Sequence, residues 1–317
     1  MSLAHNHHHH AHGDLTKKAA IASVSMALFL LALKTFAAAE TGSVALLGSL
    51  ADTAFDVLAS LLTLFSVRYA AMPADDDHRF GHGKAEALSA LLQVILVTVS
   101  AILIAWRAIV RFGDQAPTDH PEYGIGVSII AIITTLGLLA YQRYVVLKTG
   151  SVAIQADHVH YQSDLLLNIA VIIAILLDTM LNVRGADPLF GLAIAAWLLW
   201  GAYRAAGLAL DQLLDREWPQ EKRQRFIEVA LRHPELRGIH DMRTRSSGVH
   251  DFCQFHVWVD PNMTVEAAHQ IMDEVEQALM DEFPGVEVLI HPDPEGHKDE
   301  MGYLPSETIE HHDHTHD

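Results

Sequence analysis

The sequence predicts a membrane all-α bundle of six transmembrane helices followed by a small cytoplasmic α+β domain. Three observations carry this. Half of the 317 residues are hydrophobic, with a mean hydropathy of +0.20, yet the net charge is −18. The charge is divided unevenly: residues 211–317 hold 9 Lys/Arg against 24 Asp/Glu, a net of −15, while the first 210 hold 12 against 15, a net of −3. All six long apolar stretches lie in that nearly neutral first part. Such a chain is no ordinary acidic soluble enzyme, and neither part offers the basic surface that nucleic acid requires.

A helix needs roughly 20 mostly apolar residues to cross a bilayer core. The stretches that meet or approach this are residues 18–39, 44–69, 85–112, 124–147, 152–181 and 188–210. The first follows Lys17 and Lys18 and ends in Ala37, Ala38 and Ala39, as a signal peptide might, but it is longer than a signal core and a second span follows almost at once. It therefore reads as a retained helix. Six crossings put both termini on one side. With that side cytoplasmic, inner segments hold Lys17, Lys18, Arg68, Arg79, Lys84, Arg143, Lys148, Arg204 and Arg216, and outer ones hold Arg107, Arg111 and Arg184. This excess of inner cations fits cytoplasmic termini.

After Asp215 the pattern becomes that of a soluble domain. Residues 219–231 read as a helix entered through Pro219, 236–245 as a strand, and 252–259 as an alternating strand. Residues 265–283 have helical spacing and 286–290 form a short apolar strand. The order αββαβ is that of an open-faced metallochaperone- or ferredoxin-like sandwich. The domain plan is thus a His-rich N-terminal tail over 1–16, a transmembrane domain over 17–211, a cytoplasmic metal-binding domain over 212–293, and a disordered acidic, His-rich tail over 294–317. Ten of the 22 histidines lie in the two tails, which as native segments would gather metal ions.

The chemistry-bearing residues sit where lipid should be. Asp52 and Asp56 are four apart in the second span, and His160 and Asp164 repeat that spacing in the fifth, with Asp157 just before them. Four residues put each pair on one helix face. A charge at bilayer depth costs roughly 3 kcal/mol or more, so these groups must face the bundle interior with a partner. Three oxygens and one nitrogen suit a tetrahedral divalent cation such as Zn2+. Asp178, near the outer end of its span, reads as interfacial, and Lys34 has a stem long enough to carry its ammonium to the outer surface.

A second set, Asp75, His78 and His82, lies in the loop between spans two and three, where Gly81 and Gly83 permit tight turns. A third comprises His240, His256, His269, His291 and Asp293 on the elements of the soluble domain. Strand alternation places Gln254, His256 and Trp258 on one face and Cys253, Phe255, Val257 and Val259 on the other. With Cys253 alone, neither an intramolecular disulfide nor a thiolate zinc finger can form. No HExxH or GxGD motif or convincing serine nucleophile marks an intramembrane hydrolase, so the chain does not read as an enzyme.

The aspartate pair in residues 49–56, the run His160-Tyr161-Gln162-Ser163-Asp164, the loop 73–86 and the run 238–245 together resemble the cation diffusion facilitators, over roughly residues 14–293. The resemblance implies a homodimeric exporter in the bacterial inner membrane that exchanges cytoplasmic Zn2+, or Cd2+ or Fe2+, for protons. By position it assigns Asp52, Asp56, His160 and Asp164 to transport, Asp75, His78 and His82 to a loop site, and His240, His256, His269, His291 and Asp293 to a binuclear cytoplasmic site that senses metal. Lys84 and Asp215 match a charge interlock near the dimer interface. Pro292 stands where relatives have a residue that helps complete the cytoplasmic site. The alternative is a membrane metal sensor without transport, which would have no need of ligands at mid-span.

Overall fold

A computed structural model describes the backbone of residues 5–41, 44–111, 121–181, 186–248, 250–297 and 308–310, and the side chains of 13–39, 50, 53–110, 126–170, 172–173, 189–248 and 250–297. The chain forms two compact units, one of residues 11–213 and one that groups residues 214–317 with residues 1–10.

The first unit is built from six long helices: α1 (His5–Thr41, from residue 11 on), α2 (Val44–Ala70), α3 (Ala85–Arg111), α4 (Pro121–Thr149), α5 (Val152–Leu181) and α6 (Ala186–Leu213). Among the described residues, α1, α2, α3, α4 and α6 each contain a stretch long and apolar enough to span a membrane. The fifth helix, 30 residues long, carries Asp157, His158, His160 and Asp164 in its first half. It is also the hub of the packing, touching α2, α3, α4 and α6, while α3 lies most extensively along α6. The contacts are made by small residues: Ala87, Ala90, Ala156 and Ala209 form one buried cluster, and Ala19, Ala20 and Ala153 another with Val67, Val145 and Ile154. Small side chains let helix backbones approach where no hydrophobic drive separates helix from lipid. The outward faces carry Phe36, Phe65, Ile102, Trp106, Ile133 and Trp200, all exposed.

The N-terminal boundary differs from the expected one. Helix α1 begins at His5, so much of the His-rich segment placed in a tail continues the first helix. Extending an existing helix adds a hydrogen bond for each residue fixed and needs no new nucleus.

The second unit contains α7 (Gln220–Ala230), β1 (Gly238–Ser247), β2 (His250–Val259), α8 (Val265–Glu282), β3 (Val286–Pro294) and β4 (Thr308–Glu310), with strand order β3-β2-β1-β4. The first two strands pair antiparallel with a bulge between His240 and Arg243, and β2 and β3 pair parallel across the α8 connection. Thr264 caps α8, its hydroxyl accepting from the Ala267 amide at 3.2 Å. Phe226 and Val229 of α7, Val275 and Leu279 of α8, and Cys253, Phe255, Val257 and Val259 of β2 share one core. The strand alternation read from the sequence is the one observed. Strand β4 was not expected: residues 308–310, assigned to a disordered tail, pair antiparallel with residues 238–240 of β1. Composition marked the segment as a tail, but an open strand edge offers backbone partners to almost any sequence.

Candidate metal centres

The principal centre is organised by α2 and α5. Gly150, at φ +65°, ends α4 in the left-handed region, and the Ser151 hydroxyl accepts from the Ile154 amide to start α5. This start sets Asp157, His160 and Asp164 along one face. His160 Nε2 lies 3.1 Å from Asp56 Oδ1 and 3.8 Å from Asp164 Oδ2, and ligand atoms of all three residues lie within 4.8 Å of one another. His160 is buried and both carboxylates are largely so. The Asp52 side chain lies outside the described residues; its backbone is on α2, one turn before Asp56. The Asp178 side chain and residues 311–317 also fall outside them.

Neighbours that the sequence did not single out hold this centre in register. The Tyr161 hydroxyl donates to the Ser23 carbonyl at 2.9 Å and lies 2.8 Å from Ser60 Oγ, one turn beyond Asp56. One side chain therefore ties α5 to α1 and α2 beside the ligands. Asp157, fully buried, accepts from Gln142 Nε2 at 2.7 Å, and the same amide reaches Ser23 Oγ at 3.0 Å. Asp157 is thus occupied in a polar tie rather than gathered with the other three. The only available signal was position: Tyr161 follows His160, and Ser60 stands four residues after Asp56.

Lys34 departs from expectation. Its ammonium does not run out to the surface but donates to Thr53 Oγ1 on α2 at 2.6 Å. Thr53 is fully buried and three residues from Asp56. An ionisable group within a span that faces the bundle interior takes a polar partner there.

In the loop after α2, Asp75 Oδ1 faces His78 Nδ1 at 3.2 Å and Oδ2 faces His82 Nε2 at 3.3 Å. The His78 and His82 rings lie 4.5 Å apart, and Gly81 at φ +73° makes the turn that returns His82 to the cluster. The His78 backbone amide, donating to Asp75, lowers the Asp75 carboxyl from its ordinary value, and its ring and the Asp77 amide add to this. The buried Nδ1 of His82 has no hydrogen-bond partner. Two oxygens, two imidazoles and an orphaned ring nitrogen fit a borderline divalent ion.

In the soluble unit the hub is Asp293, buried at the end of β3. Its Oδ2 lies 3.2 Å from His240 Nε2 and 2.8 Å from His256 Nδ1, and its Oδ1 lies 3.2 Å from His291 Nε2. Strand register makes this possible, because His256 pairs with His240 on one side and with His291 on the other. Burial pushes the Asp293 carboxyl up, but the His256 hydrogen bond and the charges of His291, His256 and His240 outweigh it and hold it below its ordinary value. A carboxylate bridging three imidazoles fits one or two metal ions. Pro292 sits between two of these residues, opposite Val257 in the β2–β3 ladder. His269 is not part of the group: it is exposed on α8 and pairs with Asp273, one turn along, at 3.3 Å. Asp241, which no sequence signal marked, joins His240 and His256 instead, at a strand bulge with φ +50°. Cys253 is buried in the core, and burial pushes its thiol far up, so it supplies no thiolate.

Residues 20–214 match the cation efflux transmembrane domain and residues 218–295 match the cation efflux protein cytoplasmic domain. The chain belongs to the cation efflux family. As a cation efflux protein it is a multi-pass membrane protein, with the Asp56–His160–Asp164 and loop clusters inside the first matched segment and the Asp293 cluster inside the second. Most of both His-rich ends lies outside the two segments. It is 44% identical over 283 residues to the cation-efflux pump FieF of Salmonella arizonae, covering 89% of this chain and 94% of that one. Identity to FieF of Cronobacter sakazakii is 42% over the same shares. Among solved structures, the zinc form of the transporter CzrB is 36% identical, matching 27% of this chain and 99% of that one with a TM-score of 0.25.

Proposed function

We propose that this chain exports divalent cations, zinc foremost, from the bacterial cytoplasm in exchange for protons. The observation that carries the reading is His160 Nε2 facing the carboxylates of Asp56 and Asp164 among apolar helices. With Asp52 as the fourth ligand, three carboxylates and a neutral imidazole bind the ion at cytoplasmic pH. Protons arriving from outside compete for the same atoms and expel it. A site that cannot hold ion and protons together couples the two fluxes, and rocking of the helices exposes it to either side in turn. The protein works as a homodimer in the inner membrane with both termini cytoplasmic, Lys84 and Asp215 serving as a charge interlock. Lys84 Nζ reaches the Leu213 carbonyl at 3.4 Å, and Asp215 lies 4.0 Å from Arg245 Nη1. The Asp293 cluster and the loop cluster bind zinc from the cytoplasm, the former tightening the dimer as metal rises.

A sensor without transport would be served by the Asp293 cluster alone and leaves the ligands on α2 and α5 without a task. The test is a proteoliposome loaded with a pH-reporting dye. Zinc added outside should drive protons out of the lumen as zinc enters, and zinc entry without any proton movement refutes the exchange.

A further inference from the structure

Lys34 is the sole charged residue between Ala19 and Ala39, and it lies in the most apolar part of α1. A lysine there would ordinarily extend its stem towards an interface. Here the ammonium turns inward across the helix boundary to Thr53 Oγ1 at 2.6 Å. Thr53 directly follows Asp52 and stands three residues before Asp56, so it shares the ligand-bearing stretch of α2. The half-buried cation is therefore placed against the ligand set from the side of α1, without being one of the ligands.

The charge count gives this placement a consequence. Within the ligand set, Asp52, Asp56 and Asp164 carry three negative charges and a neutral His160 carries none; Asp157, tied to Gln142, stands outside that set. A divalent ion leaves one negative charge in a medium of low dielectric constant. Net charge at bilayer depth is strongly penalised. One fixed positive charge removes the deficit for a divalent ion; a monovalent ion would leave the site negative and a trivalent one would leave it positive. Resting on the transport-site reading above, we propose that Lys34 is the built-in counter-charge that makes the divalent-loaded site electrically neutral. It thereby selects ion charge and lets the loaded form cross without moving charge. It is a specificity-determining residue, tethered by Thr53.

The experiment is radioactive zinc exchange by the full-length protein in potassium-loaded proteoliposomes, with equal zinc and equal pH on both sides. Only the metal-loaded form then shuttles. A valinomycin-imposed potential of about 100 mV, worth about 2.3 kcal/mol for each elementary charge, reports the charge carried. Wild-type exchange is expected to ignore the potential. Lys34→Gln, which keeps a hydrogen-bond donor for Thr53 but drops the charge, should slow severalfold at either polarity, because a charged form collects on one side. Its half-saturating zinc concentration should fall at least tenfold, because the change removes a like charge that repels the ion. Lys34→Arg should restore both properties.

Wild-type exchange that responds to the potential overturns the proposal without recourse to any variant, which covers the case of a Lys34→Gln protein that does not fold. A folded Lys34→Gln protein matching wild type in both properties also overturns it. Asp56→Asn separates the two readings: exchange that survives this change defeats the transport site itself. Exchange abolished by it, together with a wild-type-like Lys34→Gln, defeats only the role of Lys34.

Discussion

At the scale of single residues, the account rests on side chains whose partners decide what they can do. Tyr161 is the clearest structural case. Removing its hydroxyl leaves the Ser23 carbonyl and Ser60 Oγ without their partner in a buried setting, a loss of roughly 1–3 kcal/mol. Tyr161→Phe is therefore expected to lower the thermal unfolding midpoint in detergent, and an unchanged midpoint would refute the tie. Asp293 is the counterpart in the proposed cytoplasmic metal site. Asp293→Asn should reduce the metal bound per full-length chain, measured by elemental analysis, with unchanged circular dichroism; full stoichiometry would show that the hub is not a ligand. Because the Asp293 carboxyl sits below its ordinary value, it adds stability above a pH of about 4 that is lost as pH falls through its lower folded value. In the metal-free protein, Asp293→Asn should destabilise the soluble unit at pH 6, and the difference from wild type should shrink as pH falls below about 4. Much of this was legible in the sequence: charged residues at i, i+4 in an apolar run have few meanings. What was not legible depends on tertiary neighbours. The spacing of His269 could not show that it pairs with Asp273, nor that the bulge after His240 brings Asp241 to the cluster in its place.

At the scale of elements, helix contacts set the precision of the centre. Gly201 on α6 has no side chain because a Cβ there would stand 3.1 Å from Val159 Cγ1, adjacent to His160 on α5. Gly201→Leu must push α6 away from the ligand helix, so zinc flux should fall at least tenfold while the protein still inserts. Gly137→Leu, where a Cβ meets nothing within 4 Å, is the matched control and should transport normally. Equal flux in the two variants would show that α5–α6 contact does not position His160. The six helices were readable because apolar runs of bilayer length are unambiguous. Their packing order was not, since contacts such as those of α5 with four neighbours join residues far apart in the chain. Strand β4 escaped for a related reason: three residues in an acidic segment carry too little pattern to announce a strand, and pairing with β1 supplies what composition does not.

At the scale of the whole molecule, the contrast of an acidic chain with an apolar one resolves into two units with different tasks. The apolar unit gathers Asp56, His160 and Asp164, and the acidic unit carries a carboxylate hub among histidines. The family assignment says that the two belong to one cation efflux machine. Its operation as a dimer should be visible as a particle of twice the 34.9 kDa chain mass after subtraction of detergent; a monomeric particle that transports normally would remove the dimer from the mechanism. The central claim is that the cation passes through Asp56, His160 and Asp164. The most direct measurement is initial zinc flux into proteoliposomes holding Asp56→Ala or Asp164→Ala beside wild type at matched protein density. The account predicts flux at the level of protein-free liposomes for both variants, and wild-type flux in either would contradict it.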